Sequence, residues 1–211
     1  MKNQVTEMFG IDMPIFAFTH CRDVVAAVTK AGGMGVLGAV GLSPRQLEID
    51  LQWIEDEVGG KPYGVDLIVP AKYAGSDEGG MSVGSINQMI PDEHRAYLDQ
   101  ILEKYDVPPL EEGTTKSGGF NMKDDAAAPM SADSQMPNLE IALAFKPSLM
   151  VNALGPPPAV MTNRCHEAGI MVGALAGKAQ HAERHVNAGV DLIIAQGYEA
   201  GGHTGEIASM V

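Results

Sequence analysis

The segment Gln196-Gly-Tyr-Glu-Ala-Gly-Gly-His203-Thr-Gly205 gathers the residue types best suited to chemistry in this chain. An imidazole titrates near neutral pH and can take up or give a proton. Glycines at 197, 201, 202 and 205 remove the side chains that would hold a backbone away from a flat ligand. The segment follows an apolar run, Val190-Asp-Leu-Ile-Ile-Ala195, and opens what should be the next helix. Polar groups at a strand's carboxyl end are where barrel and open-sheet enzymes place their reactive residues. A tight turn with a capping histidine would explain an isolated Gly-Gly-His; the whole string favours a site.

Other candidates carry less. Gly33-Met-Gly35-Val-Leu-Gly38 matches the dinucleotide pattern G-x-G-x-x-G, but a helix precedes these glycines and an apolar run contains them. The fingerprint needs the reverse context, a strand before and a helix after, so that a pyrophosphate meets the helix N-terminus. His181 and His185 share a helix face at i,i+4 without the metalloprotease order and without a third ligand, so a solvated face is expected and no metal site. His166 reads as ordinary helix surface. His20 and Cys21 follow the first strand, where they could border a ligand.

The elements that must position these residues repeat one pattern: a helical stretch closing on Ala-Gly or Gly-Gly, then an apolar run ending in glycine or proline. Asp23 to Ala31 leads to Met34–Gly38, and Pro44 to Val58 leads to Tyr63–Val69. Thr162 to Ala168 leads to Ile170–Ala176, and Ala179 to Ala188 leads to Val190–Ala195. Glycine after a helix can adopt the left-handed cap conformation, and a continuous short apolar run suits a strand buried on both faces. With Pro14–Phe18 and Ser148–Leu154 added, the pattern predicts six strands in parallel βα units. Ser43 as N-cap and Pro44 at the first helical position mark the second helix.

Between Pro70 and about Pro137 the pattern lapses for longer than an ordinary connection. We read residues 71–137 as an insertion within a single domain spanning 1–211. Asp92 to Lys104 predicts an amphipathic helix, and Glu111 to Gln135, rich in Gly, Ser, Asp and Ala, predicts a mobile loop. A lid is one role for the insertion; a solvated excursion is the plainer one.

With 211 residues, 45% of them hydrophobic, the chain can bury a substantial core. A net charge of -13 repels phosphate backbones and anionic lipid, which argues against nucleic acid and membrane surfaces as partners. No apolar run reaches the ~18–20 residues needed to span a bilayer, and no signal peptide is evident, so a cytoplasmic location is expected. Cys21 and Cys165 lack CxxC spacing, consistent with two reduced thiols.

The 196–205 string resembles the AQGxEAGGHxG segment of nitronate monooxygenases, formerly grouped as 2-nitropropane dioxygenases. Met13-Pro-Ile-Phe-Ala-Phe-Thr-His20, followed by Val24 to Gly35, is similar to that family's first βα unit. Ser43-Pro-Arg-Gln-Leu47, Lys61-Pro-Tyr-Gly-Val-Asp66-Leu and Gly155-Pro-Pro-Pro158 resemble its second helix, third strand and the end of its fourth. The likeness covers most of residues 10–70 and 147–211 and leaves out the acidic insertion. It implies an α/β (β/α)₈ TIM barrel binding FMN non-covalently and oxidising an alkyl nitronate with O₂ to a carbonyl compound and nitrite. His203 would be the catalytic base. Ala17, Phe18, Thr19, Asp66, Gln196, Gly201 and Gly202 would contact the flavin.

The chain departs from the family's common Pro-Met at Phe18-Thr19, and from its Asn at Asp66. About six of eight βα units are evident, so the barrel reads as C-terminally truncated, without the strands whose loops usually hold the cofactor phosphate. Two alternatives stay open: NAD(P)H-dependent reduction of quinones or enoyl thioesters on the same barrel, and an inactive fragment with two exposed sheet edges.

Overall fold

The computed structural model describes residues 2–71, 81–108, 132–201 and Gly205. The chain divides into two compact units, one of residues 1–71 and 135–211 and the other of residues 72–134.

The first unit is built on six parallel strands: β1 (Phe16–Thr19), β2 (Met34–Gly38), β3 (Gly64–Leu67), β4 (Leu149–Asn152), β5 (Met171–Ala176) and β6 (Leu192–Ala195). Their order in the sheet is their order in the chain. Every crossover therefore steps the same way, as in a barrel, and the reversal that defines a doubly wound dinucleotide fold is missing from this sheet. Preceding the sheet is α1 (Gln4–Phe9); the crossovers carry α2 (Arg22–Lys30), α3 (Pro44–Val58), α6 (Ala132–Phe145), α7 (Ala159–Glu167) and α8 (Ala179–Asn187).

Strand alternation splits the core in two. Leu37, Val65, Leu67, Met150 and Val172 face the helices, where they pack with Val25, Leu47, Leu51, Ile54 and Met161. Met34, Val36, Leu149 and Val151 face the other way, into what would be a barrel lumen, and α1 contributes Phe9 and the following loop Ile11 to close it. Burial on both faces is why these strands read as continuous apolar runs.

Local devices hold the helices in place. Ser43 accepts from the Gln46 amide at 3.2 Å, with Pro44 at the first helical position. Arg22 pairs with Asp50 at 3.0 Å while its guanidinium lies 4.9 Å above Trp53, tying α2 to α3, and Arg164 pairs with Glu140, tying α7 to α6. The glycines of the rejected dinucleotide pattern serve packing. A Cβ on Gly35 would lie 2.4–2.5 Å from Val25 backbone atoms, so only glycine lets α2 approach β2 this closely.

The second unit contains α4 (Val83–Gln88) and α5 (Asp92–Lys104), the latter at the predicted bounds and with none of its residues buried. Of the stretch expected as a mobile loop, residues 111–131 lie outside the described residues; positions 132–135, read as part of it, begin α6 instead. Pro137 and an apolar sequence without a one-sided stripe hide this helix, whose Leu139, Ala142 and Leu143 are buried. Likewise α1, for which the sequence pattern predicts no element, is a short helix whose Asn3 and Thr6 form a reciprocal capping box.

Candidate active site at the carboxyl rim

The carboxyl ends of β1 and β2 bring two rings together. The Phe18 and His20 rings meet edge to face, with centroids 5.1 Å apart. His20 Nδ1 lies 2.9 Å from the Gly38 carbonyl oxygen. A carbonyl only accepts, so Nδ1 carries the proton, and in the neutral ring Nε2 keeps its lone pair for a ligand. Gly38 makes the arrangement possible, since a Cβ there would sit 2.7 Å from both rings. Phe18 remains 56% exposed at this rim. Thr19 spends its hydroxyl on the turn, accepting from the Cys21 amide at 3.1 Å, and Ala17 alternates to the opposite face of β1 from Phe18.

Asp66 is the next group along the sheet. It is the register partner of Gly38 on one side and of Val151 on the other. Val65 and Leu67 face the helices, so alternation points Asp66 toward the lumen, as it does Gly64. Only 4% of Asp66 is exposed, and burial raises its pKa to about 7.

Asn152, which no motif singled out, organises the loops behind this rim. Fully buried, it accepts from the Val69 amide through Oδ1 at 2.8 Å, and its Nδ2 donates to the carbonyls of Leu154 at 3.2 Å and Gly155 at 3.1 Å. One amide thus joins the loop after β3 to the loop after β4. The sequence trace of this role is a single amide inside the apolar run Leu149 to Leu154.

At β5 and β6 the backbone itself builds the rim. Gln196 continues the ladder, its amide donating to the Ala176 carbonyl at 2.9 Å, and Gly205 returns to donate to the Gly197 carbonyl at 3.0 Å. A Cβ on Gly205 would lie 2.0 Å from the Gln196 carbonyl oxygen, and one on Gly177 would lie 3.1 Å from Gly205 Cα. The loop after β6 therefore folds back on itself and against the loop after β5, with no room for side chains at the crossing. Gly201 lies on the exposed part of this loop. Gly202 and His203 lie outside the described residues.

The structure thus places Ala17, Phe18, Thr19, Asp66, Gln196 and Gly201 at or next to the carboxyl ends of β1, β3 and β6. It also corrects one expectation. His185 is not on a solvated face: 1% exposed, it packs on β5 with Nε2 2.9 Å from the Leu175 carbonyl, because α8 turns this position inward while leaving His181 partly exposed. His166 pairs with Asp191 at 2.9 Å on the surface. Both cysteines are free; burial pushes the Cys165 thiol up to about 12, whereas Cys21 is exposed.

The profile of the nitronate monooxygenases matches residues 2–210. This chain belongs to the nitronate monooxygenase family. Among its relatives, a Mycobacterium tuberculosis protein named as a monooxygenase is 48% identical over the whole of this chain, which spans 55% of that relative. A Staphylococcus aureus protein named as a nitronate monooxygenase is 26% identical over 97% of the chain and is spanned to 51%. The chain therefore covers about half the length of the curated relatives it matches. Two solved structures share the fold: nitroalkane oxidase from Streptomyces ansochromogenes, with a TM-score of 0.65 at 22% identity over 98% of this chain and 52% of its own, and FabK from Thermotoga maritima, with 0.64 at 20% over 100% and 49%. Gln196, Gly197 and Gly205 lie beyond the carboxyl end of β6, the end of the strands at which barrel folds carry their reactive groups.

Proposed function

We propose that this chain forms the greater part of the ring-binding half of an FMN-dependent oxidoreductase that oxidises alkyl nitronates with O₂ to a carbonyl compound and nitrite. The observation that carries the reading is the glycine-only crossing of Gly205 over Gln196 and beside Gly177, in a chain of this family. Such a crossing leaves backbone, not side chains, facing any ligand over the rim. The residues around it fit a flat heteroaromatic ring: Phe18 near the end of β1, and Leu154 and Tyr198 on the loops after β4 and β6, give apolar surface at 56%, 52% and 63% exposure, and Asp66 adds an unpartnered polar oxygen.

When bound, FMN supplies the electron-accepting ring and the reaction with O₂. The chain's own residues bind, orient and move protons. Backbone groups at Ala17, Phe18 and Thr19, together with Asp66, Gln196, Gly201 and Gly202, hold the ring. His203 takes the α-carbon proton of a neutral nitroalkane, and the resulting imidazolium stabilises the charge gathered on the nitro oxygens. A substrate supplied already as nitronate needs only the second role.

In the protein carrying this chain, His203→Asn is expected to keep the yellow flavin spectrum and to lose turnover on neutral nitroalkanes by about 100-fold or more. Activity on the pre-ionised nitronate should fall less. Undiminished turnover of neutral substrate would overturn the assignment. The shared fold does not separate this chemistry from NAD(P)H-dependent reduction. Anaerobic mixing with NADH does, since rapid bleaching of the flavin would favour the reductase.

A further inference from the structure

Asp66 carries more than a place in the rim. Its Oδ1 is buried without a hydrogen-bond partner among the described residues, and no ion pair among them reaches it. Around it β2 presents Gly38, β4 presents Val151 and its own strand presents Gly64, so each ladder neighbour is apolar or lacks a side chain. The titratable groups described on the same rim are His20, drawn against Gly38 by its hydrogen bond, Cys21 after β1, Lys178 after β5, and Tyr198 and Glu199 after β6. Helices α2, α3, α6 and α7 meet the other face of the sheet, and on the face of Asp66 itself α1 and the loop after it contribute the apolar Phe9 and Ile11. An ionised carboxylate here would have neither a cation nor a donor, and buried acids in that position keep their proton. The protonated acid in turn has an O–H with nothing in the described protein to receive it.

Resting on the flavin reading above, we propose that Asp66 enters the site as a neutral carboxylic acid and donates its proton in a hydrogen bond to an acceptor atom of the bound ring. An asparagine at this position would offer an N–H that does not titrate; Asp66 offers a donor that pH removes. With burial raising the pKa to about 7, deprotonation above neutrality both withdraws the donor and sets a negative charge against the acceptor. Ring affinity therefore falls as pH rises.

The test measures FMN binding by flavin fluorescence at about pH 6 and about pH 8.5. In the protein carrying this chain, the unsubstituted Kd should rise about tenfold or more between the two, and that of Asp66→Asn by less than about twofold. The ligand's own phosphate titrates equally in both and cancels from the comparison. Asp66→Ser, which removes the titrating group differently, should give the same flat profile. Without ligand, infrared difference spectra should show a protonated-carboxyl C=O band at about pH 6 that Asp66→Asn abolishes. Absence of that band overturns the neutral acid. Parallel pH dependence in all variants overturns the donation and leaves the flavin reading standing, whereas failure to bind FMN at any pH overturns both.

Discussion

Taking a carboxyl out of water raises its proton affinity, so Asp66 ties stability, as well as ligand affinity, to pH. Its folded pKa of about 7 stands above the unfolded value of 3.8, which means the folded state holds the extra proton between them. Stability from this group is fully present below pH 4 and is lost as pH rises through about 7, amounting to at most roughly 4 kcal/mol. Urea unfolding at a series of pH values should show that decline in the unsubstituted chain, with a markedly smaller slope in Asp66→Asn. Equal slopes would mean that the acid is ionised in the native state. Residue type alone does not reveal this, because Asp66 lies in the sequence run Gly-Val-Asp-Leu as one more polar letter. The same limit explains His185. Its i,i+4 partner His181 has the same spacing relation to the helix, yet only one of them is turned onto β5, and that choice is made by packing.

Among the elements, the β3 and β4 loops depend on one side chain. Asn152→Leu keeps the branched outline of the side chain but strands the Val69 amide and removes the donors to Leu154 and Gly155, which should cost about 2–4 kcal/mol because buried groups lose their partners. Hydrogen exchange offers a local check: the Val69 amide should lose protection more than amides in β1. Uniform behaviour across the sheet would show that the two loops do not rely on this contact. The helices that were legible, α2, α3, α5, α7 and α8, announce themselves through caps, closing glycines or one-sided apolar stripes. By contrast, α1 spans six residues, and α6 buries the polar Gln135 and Asn138 while exposing Pro137 and Ala144, so its sequence shows no apolar stripe. Neither displays the periodicity that comes from having one wet face.

For the whole molecule, residues 72–134 form a compact unit of their own, and we propose that the strand-bearing unit does not require them. Replacing it with a flexible linker of about 15 residues should leave cooperative thermal unfolding of the first unit, with Tm within about 5 °C. Loss of the cooperative transition would show that the segment completes the core. Six parallel strands in chain order were readable because each βα unit is local: a glycine ends the helix, an apolar run follows, and every connection but that from β3 to β4 is short. The family was readable for the same reason, since its recurring strings lie within single units.

The loop from Gln196 to Gly205 was legible as a string, and its four glycines could be named without knowing what they touch. Tertiary structure decided that Gly205 crosses the Gln196 carbonyl beside Gly177, that Gly38 makes room for His20 and Phe18, and that Asp66 and Asn152 leave water from opposite faces of the sheet. The physical reason is range. Helix caps, turns and strand runs depend on neighbours a few residues apart, whereas desolvation, close backbone approach and the pairing of buried polar groups depend on residues brought together from distant parts of the chain.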